Sequence, residues 1–242
     1  MKLKNVMLYF IVVLVIFGIG VYVGMNFFNF LDKYVLKKPV PVGELTPAPE
    51  GEGWIDLLSS ENRVHWKNPT DDTDIFEITD DGVLHIYGKS LYPLRYVAYT
   101  GESFSDFQLH IEFRLTRGAN SGVFLRSQLN DPVYRGFEIQ VLEDYGQPPN
   151  KNSCGAIYDI TTPMYNMSFP PGQWNSYDIT LKGSEVMVYM NGWLIIHTFL
   201  DKMTTPLGKF SIPYSQLPKE GYLMLQDHGG EVWYRNIRIK KL

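Results

Sequence analysis

The chain has 242 residues, 45% of them hydrophobic and 14% aromatic, which supplies enough apolar material for one sizeable β-rich domain and does not require two. Its formal net charge is -4, and the residues after position 53 carry 17 basic against 22 acidic side chains, so no basic stripe is available to follow a phosphate backbone and charge argues against a nucleic-acid partner. A single cysteine, Cys154, excludes an intrachain disulfide and argues against a cysteine-based zinc site.

Between Val6 and Phe30 there is no charged residue, and residues 6–25 are almost wholly apolar. At ~1.5 Å per residue this run crosses a ~30 Å hydrocarbon core, so residues 1–31 are expected to hold a short flank and a single transmembrane helix. The run is longer than the apolar segment of a signal peptide, and no A-x-A-like cleavage site follows it. Gly20 and Gly24, preceded by Gly18, form a small-xxx-small pair through which another membrane subunit's helix would approach. Lys2 and Lys4 precede the helix and Lys33, Lys37 and Lys38 follow it, which leaves its orientation open. Residues 32–53 are rich in Pro and Gly and read as a semi-rigid tether.

The domain is expected over residues 54–242. Residues 74–88 hold two short runs joined at Asp80-Asp81-Gly82, a hairpin signal. Alternating runs follow at 107–115, 121–126, 137–142, 177–181, 185–190, 193–198, 222–228 and 232–239. Asn191-Gly192 is the clearest turn, because a type I′ turn needs positive φ at both central residues. No helical periodicity longer than about two turns is present, and β-branched and aromatic residues dominate the runs. The pattern predicts an all-β fold of two packed antiparallel sheets, a sandwich or jelly roll.

The polar sides of these strands are chemically rich. His110, Glu112 and Arg114 alternate on one run, Glu138 and Gln140 on another, and Gln226 and His228 on a third, while Arg126 ends a fourth. For any one of them the solvent face of a sheet is the simpler account. It is the gathering of acid, amide, guanidinium and imidazole that suggests a site. The strand at 137–142 runs into a Gly/Pro/Asn-rich loop at 145–153, the kind of junction where sites are built.

Several segments in order, NSGVFLRS (120–127), GFEIQVLEDYGQPPNKNSCGAIYD (136–159), PPGQWNSYDI (170–179), the Asn-Gly hairpin, LQDHG (225–229) and VWYRNIRIKKL (232–242), together resemble the 3-keto-disaccharide hydrolase domain family. The resemblance covers residues 53–242. It implies a concanavalin A-like jelly-roll β-sandwich, exported or envelope-attached in bacteria, acting on sugars oxidised at C3. It also implies an orientation: a single pass through the bacterial inner membrane, with the carboxy-terminal domain on the periplasmic, extracytoplasmic side.

A ketone at C3 acidifies the proton on C2, so a base can remove it, an enolate forms, and the C1 substituent leaves by elimination before water adds. The protein must supply a base, an enolate stabiliser and an acid. The catalytic assignments are Glu138 as a partly desolvated base, Arg126 opposite the enolate, and His228 for proton transfer near neutrality. Gln140, Gln226, Asp144 and Glu112 are the expected contacts to the sugar ligand. Direct retaining hydrolysis needs two carboxylates ~5 Å apart, and the strand reads Glu138, Gln140, Leu142 in place of E-x-D-x-E; a G-x-S-x-G elbow is also lacking. No cofactor is demanded. A divalent metal stays open, since Asp227, His228 and Glu138 offer N and O donors without an H-x-x-x-H or H-x-H spacing, and Asp71, Asp72 and Asp74 read first as a solvated acidic turn. Trp174, Trp193 and Trp233 read first as aromatics of the sandwich core, and Cys154 as a packing residue. Two other functions compete with the enzyme: a non-catalytic accessory subunit of a membrane complex, and a sugar-binding module.

Overall fold

In a computed structural model the described residues are 22, 43–90 and 92–242. The expected anchor at 1–31 and the first part of the expected tether, 32–42, lie outside this description apart from residue 22. Among the described residues no helix is long and apolar enough to cross a membrane.

Residues 43–242 form one compact unit. Thirteen strands make it up: β1 (Trp54–Asp56), β2 (Trp66–Lys67), β3 (Phe76–Ile78), β4 (Leu84–Ile86), β5 (Arg95–Phe104), β6 (Phe107–Leu115), β7 (Asn120–Ser127), β8 (Phe137–Leu142), β9 (Trp174–Lys182), β10 (Glu185–Met190), β11 (Trp193–Phe199), β12 (Gly221–Asp227) and β13 (Val232–Lys241). Among the described residues of this unit the helical segments are three single 3-10 turns. The larger sheet has the order β11-β10-β9-β6-β13-β4-β3, with β1 also paired to β13, and the smaller has the order β2-β5-β12-β7-β8. The expected all-β sandwich of two sheets is the fold observed.

The main core lies between the sheets. Val97, Val123, Leu125, Ile139, Val141, Leu223 and Leu225 of the smaller sheet belong to one cluster with Ile111, Phe113, Tyr177, Ile179 and Ile239 of the larger. At ~1.5–3 kcal/mol for each fully buried large apolar side chain, this layer dominates the favourable side of folding. A second cluster covers the opposite face of the smaller sheet, where Tyr96, Ala98, Phe124 and Met224 pack under Leu94, Leu129, Val133 and Tyr222. The smaller sheet is therefore buried on both faces, which differs from the one wet face that its alternating strands suggest.

That double burial explains the strand the sequence does not advertise. β5 reads RYVAYTGESF, with Tyr96 and Ala98 under one cover and Val97 and Tyr99 in the main core, so no apolar-polar alternation marks it. The Asn191-Gly192 turn forms as expected, with φ of 48° and 80°. Asn191 also organises its surroundings: Oδ1 accepts from the Ser176 N–H at 2.8 Å, and Nδ2 donates to the Met167 carbonyl at 2.7 Å. The Glu44 N–H bonds to its carbonyl at 3.0 Å, and the Thr46 N–H bonds to Ser176 Oγ at 3.0 Å. Residues 43–53, placed in the tether by their composition, thus begin the compact unit.

Arg126 is placed differently from the sequence expectation. It has a φ of 50°, and the β7 and β12 pairing slips there, with Met224 opposite Phe124 but Tyr222 opposite Ser127. The extra residue interrupts the alternation and sends the guanidinium across the sandwich. Nε donates to the Ser105 carbonyl at 2.7 Å, Nη1 to the Gly183 carbonyl at 2.9 Å, and Nη2 to Asp106 Oδ1 at 3.0 Å. Burial lowers its pKa and Asp106 works against that shift. Arg126→Ala leaves these acceptors without their donor, so a loss of about 2–4 kcal/mol is expected, read as a lower urea midpoint at unchanged slope. A change within about 0.5 kcal/mol, the size of an ordinary surface substitution, would remove the bridging role.

Candidate active site

Strand register decides which of the expected residues meet. Phe124 of β7 faces Glu138 of β8, and Gly122 faces Gln140. On the other side of β7, Met224 of β12 pairs with Phe124, and β12 in turn sets Met224 against Ala98 and Gln226 against Tyr96 of β5. Because side chains of directly paired residues share a face, Ala98, Met224, Phe124 and Glu138 form one cross-strand row. Tyr96, Gln226, Gly122 and Gln140 form the next. Asn120, at the start of β7, meets His228 just beyond the end of β12.

Glu138 is 4% exposed, Gln140 3% and Gln226 4%. Room for the Glu138 carboxylate comes from Gly122, since a Cβ at that position would collide with Glu138 Oε1. Oε2 lies 3.5 Å from Nζ of Lys209, which reaches in from the segment between β11 and β12. The Lys209 ammonium is also 4.8 Å from the centroid of the Tyr158 ring and 5.6 Å from that of Phe210. Burial pushes the Glu138 carboxyl up to about 7, with Lys209 pulling it down. Burial likewise lowers the Lys209 pKa, against the attraction of Glu138. A carboxyl balanced near neutrality is suited to exchanging a proton with a substrate.

Gln140 satisfies its amide when the nitrogen faces Glu138 Oε1, 3.0 Å away, and the Ser121 carbonyl, 2.7 Å away. The Asn120 amide then spans the gap from Gln140, at 3.3 Å, to Nδ1 of His228, at 2.8 Å. Burial lowers the His228 pKa and the Asp227 charge raises it, the first effect being the larger. Burial raises the pKa of the Tyr96 hydroxyl to about 12, and the neighbouring Gln226 side chain works against that rise.

The other expected residues do not join this group. Arg126 spans the two sheets as described above. Asp144 accepts from the Cys154 N–H at 2.9 Å and from Asn166 Nδ2 at 3.0 Å, so it ties its own loop together; burial raises its pKa in spite of those donors. Glu112 lies on β6 of the larger sheet, accepting from Arg235 Nε and Asn236 Nδ2, each at 2.7 Å. Cys154 is fully buried 3.1 Å from the Tyr177 hydroxyl, and burial pushes its thiol up to about 12, which suits a packing residue. Asp227 alternates away from Gln226, and both of its oxygens are buried without a hydrogen-bond partner among the described residues. Among the described residues no three His, Cys, Asp or Glu side chains gather as metal ligands.

The tryptophans also differ from expectation. Trp174 and Trp233 flank the Arg114 guanidinium at 5.0 and 4.5 Å, half-buried on the larger sheet, and Trp193 is 40% exposed beside Tyr165. Five residues of the site escape a reading by motif or alternation: Tyr96, Asn120, Gly122, Tyr158 and Lys209. Asn120 had the best signal, standing at the head of NSGVFLRS. Lys209 had none, because a loop lysine carries no periodicity.

Residues 53–240 match the family described as the 3-keto-alpha-glucoside-1,2-lyase-like domain. A 3-keto-disaccharide hydrolase of Bacteroides thetaiotaomicron is 26% identical over 172 residues, covering 57% of this chain and 59% of that protein. The chain thus spans well under two thirds of that relative's length. A crystal structure of a candidate glycosyl hydrolase from Parabacteroides distasonis superposes with a TM-score of 0.66 at 26% identity, covering 78% of this chain and 99% of that one. Another from the same organism gives a TM-score of 0.60 at 26% identity, covering 87% and 96%.

A carboxyl held above its ordinary 4.5 in the folded state contributes stability that is complete below that value and is lost as pH rises through about 7. Between about pH 5 and about pH 8 the wild type is therefore expected to lose roughly 2 to 3 kcal/mol more stability than Glu138→Gln. Urea midpoints of both proteins at the two pH values measure it. Equal losses would show that Glu138 ionises as a solvated carboxyl does.

Proposed function

The chain belongs to the 3-keto-alpha-glucoside-1,2-lyase-like domain family, and from that premise we propose that it cleaves the glycosidic bond of 3-keto-glycosides by elimination and hydration. The observation that carries the reading is the pairing of a desolvated Glu138 with an amide-held His228 on one sheet face. A glycosyl-hydrolase-like, carbohydrate-active domain is the coarser assignment that the relatives support.

In the proposed reaction Glu138 takes the C2 proton and the electron pair passes into the C3 carbonyl as an enolate. Lys209, the cation beside Glu138, takes the stabilising role that the sequence suggests for Arg126. The enolate collapses with breakage of the C1–O bond, and protonated His228 supplies the proton that the departing oxygen needs. Neutral His228 then accepts a proton from water as its oxygen adds to C1, and Glu138 returns its proton to C2. The sum is hydrolysis with both residues restored. Gln226 bears the sugar hydroxyls, while Gln140, whose amide is bonded to Glu138, the Ser121 carbonyl and Asn120, orients the acid and base.

The uncharged run between Val6 and Phe30 supports a membrane-anchored enzyme, with the domain on the extracytoplasmic side of a bacterial inner membrane. One observation favours a second reading, an accessory subunit joined to other membrane proteins through Gly20 and Gly24: Glu138, Gln140, Gln226 and Tyr96 are each at most 4% exposed, a covered face. Substrate entry then requires Lys209 and its segment to move aside.

Full-length protein in detergent, given a 3-keto-glucoside bearing a chromogenic leaving group, is expected to release that group. Glu138→Gln and His228→Ala are each expected to slow release by ~10²-fold or more. No release by the wild type, with or without added divalent ions, sinks the enzyme reading and leaves the accessory one. Gly122→Ala, which displaces the Glu138 carboxylate, is expected to cost at least about tenfold in turnover; an unchanged rate would show that the carboxylate position does not matter.

A further inference from the structure

We infer that Asn120 and Gln140 are positioning residues: together they fix His228 as its Nδ1–H tautomer, so that Nε2 is the nitrogen that gains and loses a proton. The reasoning starts from one backbone atom. A carbonyl oxygen only accepts hydrogen bonds, and the Ser121 carbonyl lies 2.7 Å from one end of the Gln140 amide. That end is the nitrogen, and its second proton points at Glu138 Oε1, 3.0 Å away. The other end of Gln140 is then the oxygen, and it meets the Asn120 amide at 3.3 Å. An oxygen there requires the Asn120 nitrogen opposite it. The Asn120 oxygen is therefore left facing Nδ1 of His228 across 2.8 Å, and Nδ1 must carry a proton. Each assignment follows from the last, because two acceptors or two donors do not share a contact of this length.

The consequence is directional. From His228 to Asn120 to Gln140 to Glu138 every bond donates the same way and ends on a carboxylate, an alignment in which each dipole strengthens the next. Neutral and protonated His228 both keep Nδ1–H on Asn120 and differ only at Nε2. The ring can change its proton count without any amide turning over. Gln140 is 3% exposed, so this orientation is held away from competing water. The assignment deepens the proposed function but does not depend on it, since a tautomer exists whether or not the protein turns over a substrate.

Nitrogen-15 NMR of full-length wild-type protein in detergent, at a pH where the ring is neutral, with His228 assigned by its loss in His228→Ala, reads the tautomer directly. The expected result is a protonated Nδ1 and an unprotonated Nε2. Asn120→Leu, which keeps the volume and removes the acceptor, is expected to release the ring to the Nε2–H form or a mixture. It should also lower kcat on a 3-keto-glucoside about tenfold or more with KM changed less than about twofold. An unprotonated Nδ1 in the wild type overturns the inference, as does an unchanged tautomer in a folded Asn120→Leu protein. If the tautomer behaves as expected but no substrate is cleaved, the positioning stands and the proposed reaction fails.

Discussion

The Glu138 carboxylate occupies a space that exists because Gly122, diagonally across from it on the neighbouring strand, has no side chain. Placing a carboxylate at 4% exposure in a sheet buried on both sides is costly unless it is paired or takes up a proton. Lys209 and the Gln140 amide supply part of that compensation, and the rise in pKa expresses what they leave uncompensated. Everything distinctive about this face follows from that placement. The amides must point one way to serve the carboxylate, and the imidazole at the end of the line inherits its orientation from them.

The larger sheet shows what the same residue types do without that constraint. His110 is fully buried, and burial pulls its pKa down, yet the Asp178 carboxylate at 2.7 Å and Glu112 reverse the effect and the pKa is raised. For Glu112, burial pushes upward and is outweighed by His110, Asn236 and Arg235, so it stays ionised. These are partnered ions that join β6, β9 and β13. Acid, imidazole and guanidinium on one strand face are thus equally consistent with a satisfied structural network, and the difference lies in whether the acid retains an unmet demand for a proton.

That difference explains how far the sequence could be read. Alternation located β6, β8 and β10 at their observed bounds and gave the sandwich, because each has residues whose burial on the core side repeats with period two. It put Glu138, Gln140 and Gln226 among the candidate residues for the same reason. It missed β5, whose two faces are both covered, and it misdirected Arg126, because a single extra residue inverts the face of whatever follows it. Asp144 looked like a ligand for sugar and is a ligand for its own loop, a local hydrogen-bonding role that short polar side chains near turns commonly take. The contributions of Lys209 and Tyr158 come from connecting segments, where spacing carries no geometric information.

Asn191 sits at the tip of the β10 and β11 hairpin and holds both the Glu44 amide and the Ser176 amide. The chain therefore enters the sandwich on the larger sheet, whereas Glu138 and its partners belong to the smaller one. Any tension arriving along the backbone from the amino-terminal direction is delivered first to a turn and to β9, in the hydrogen-bonded ladder of the larger sheet. In mechanical terms the entry of the chain and the Glu138 face belong to different sheets. A pull on the entry segment strains backbone bonds of the larger sheet before it disturbs the contacts that Glu138 makes with Gln140 at 3.0 Å and Lys209 at 3.5 Å on the smaller one.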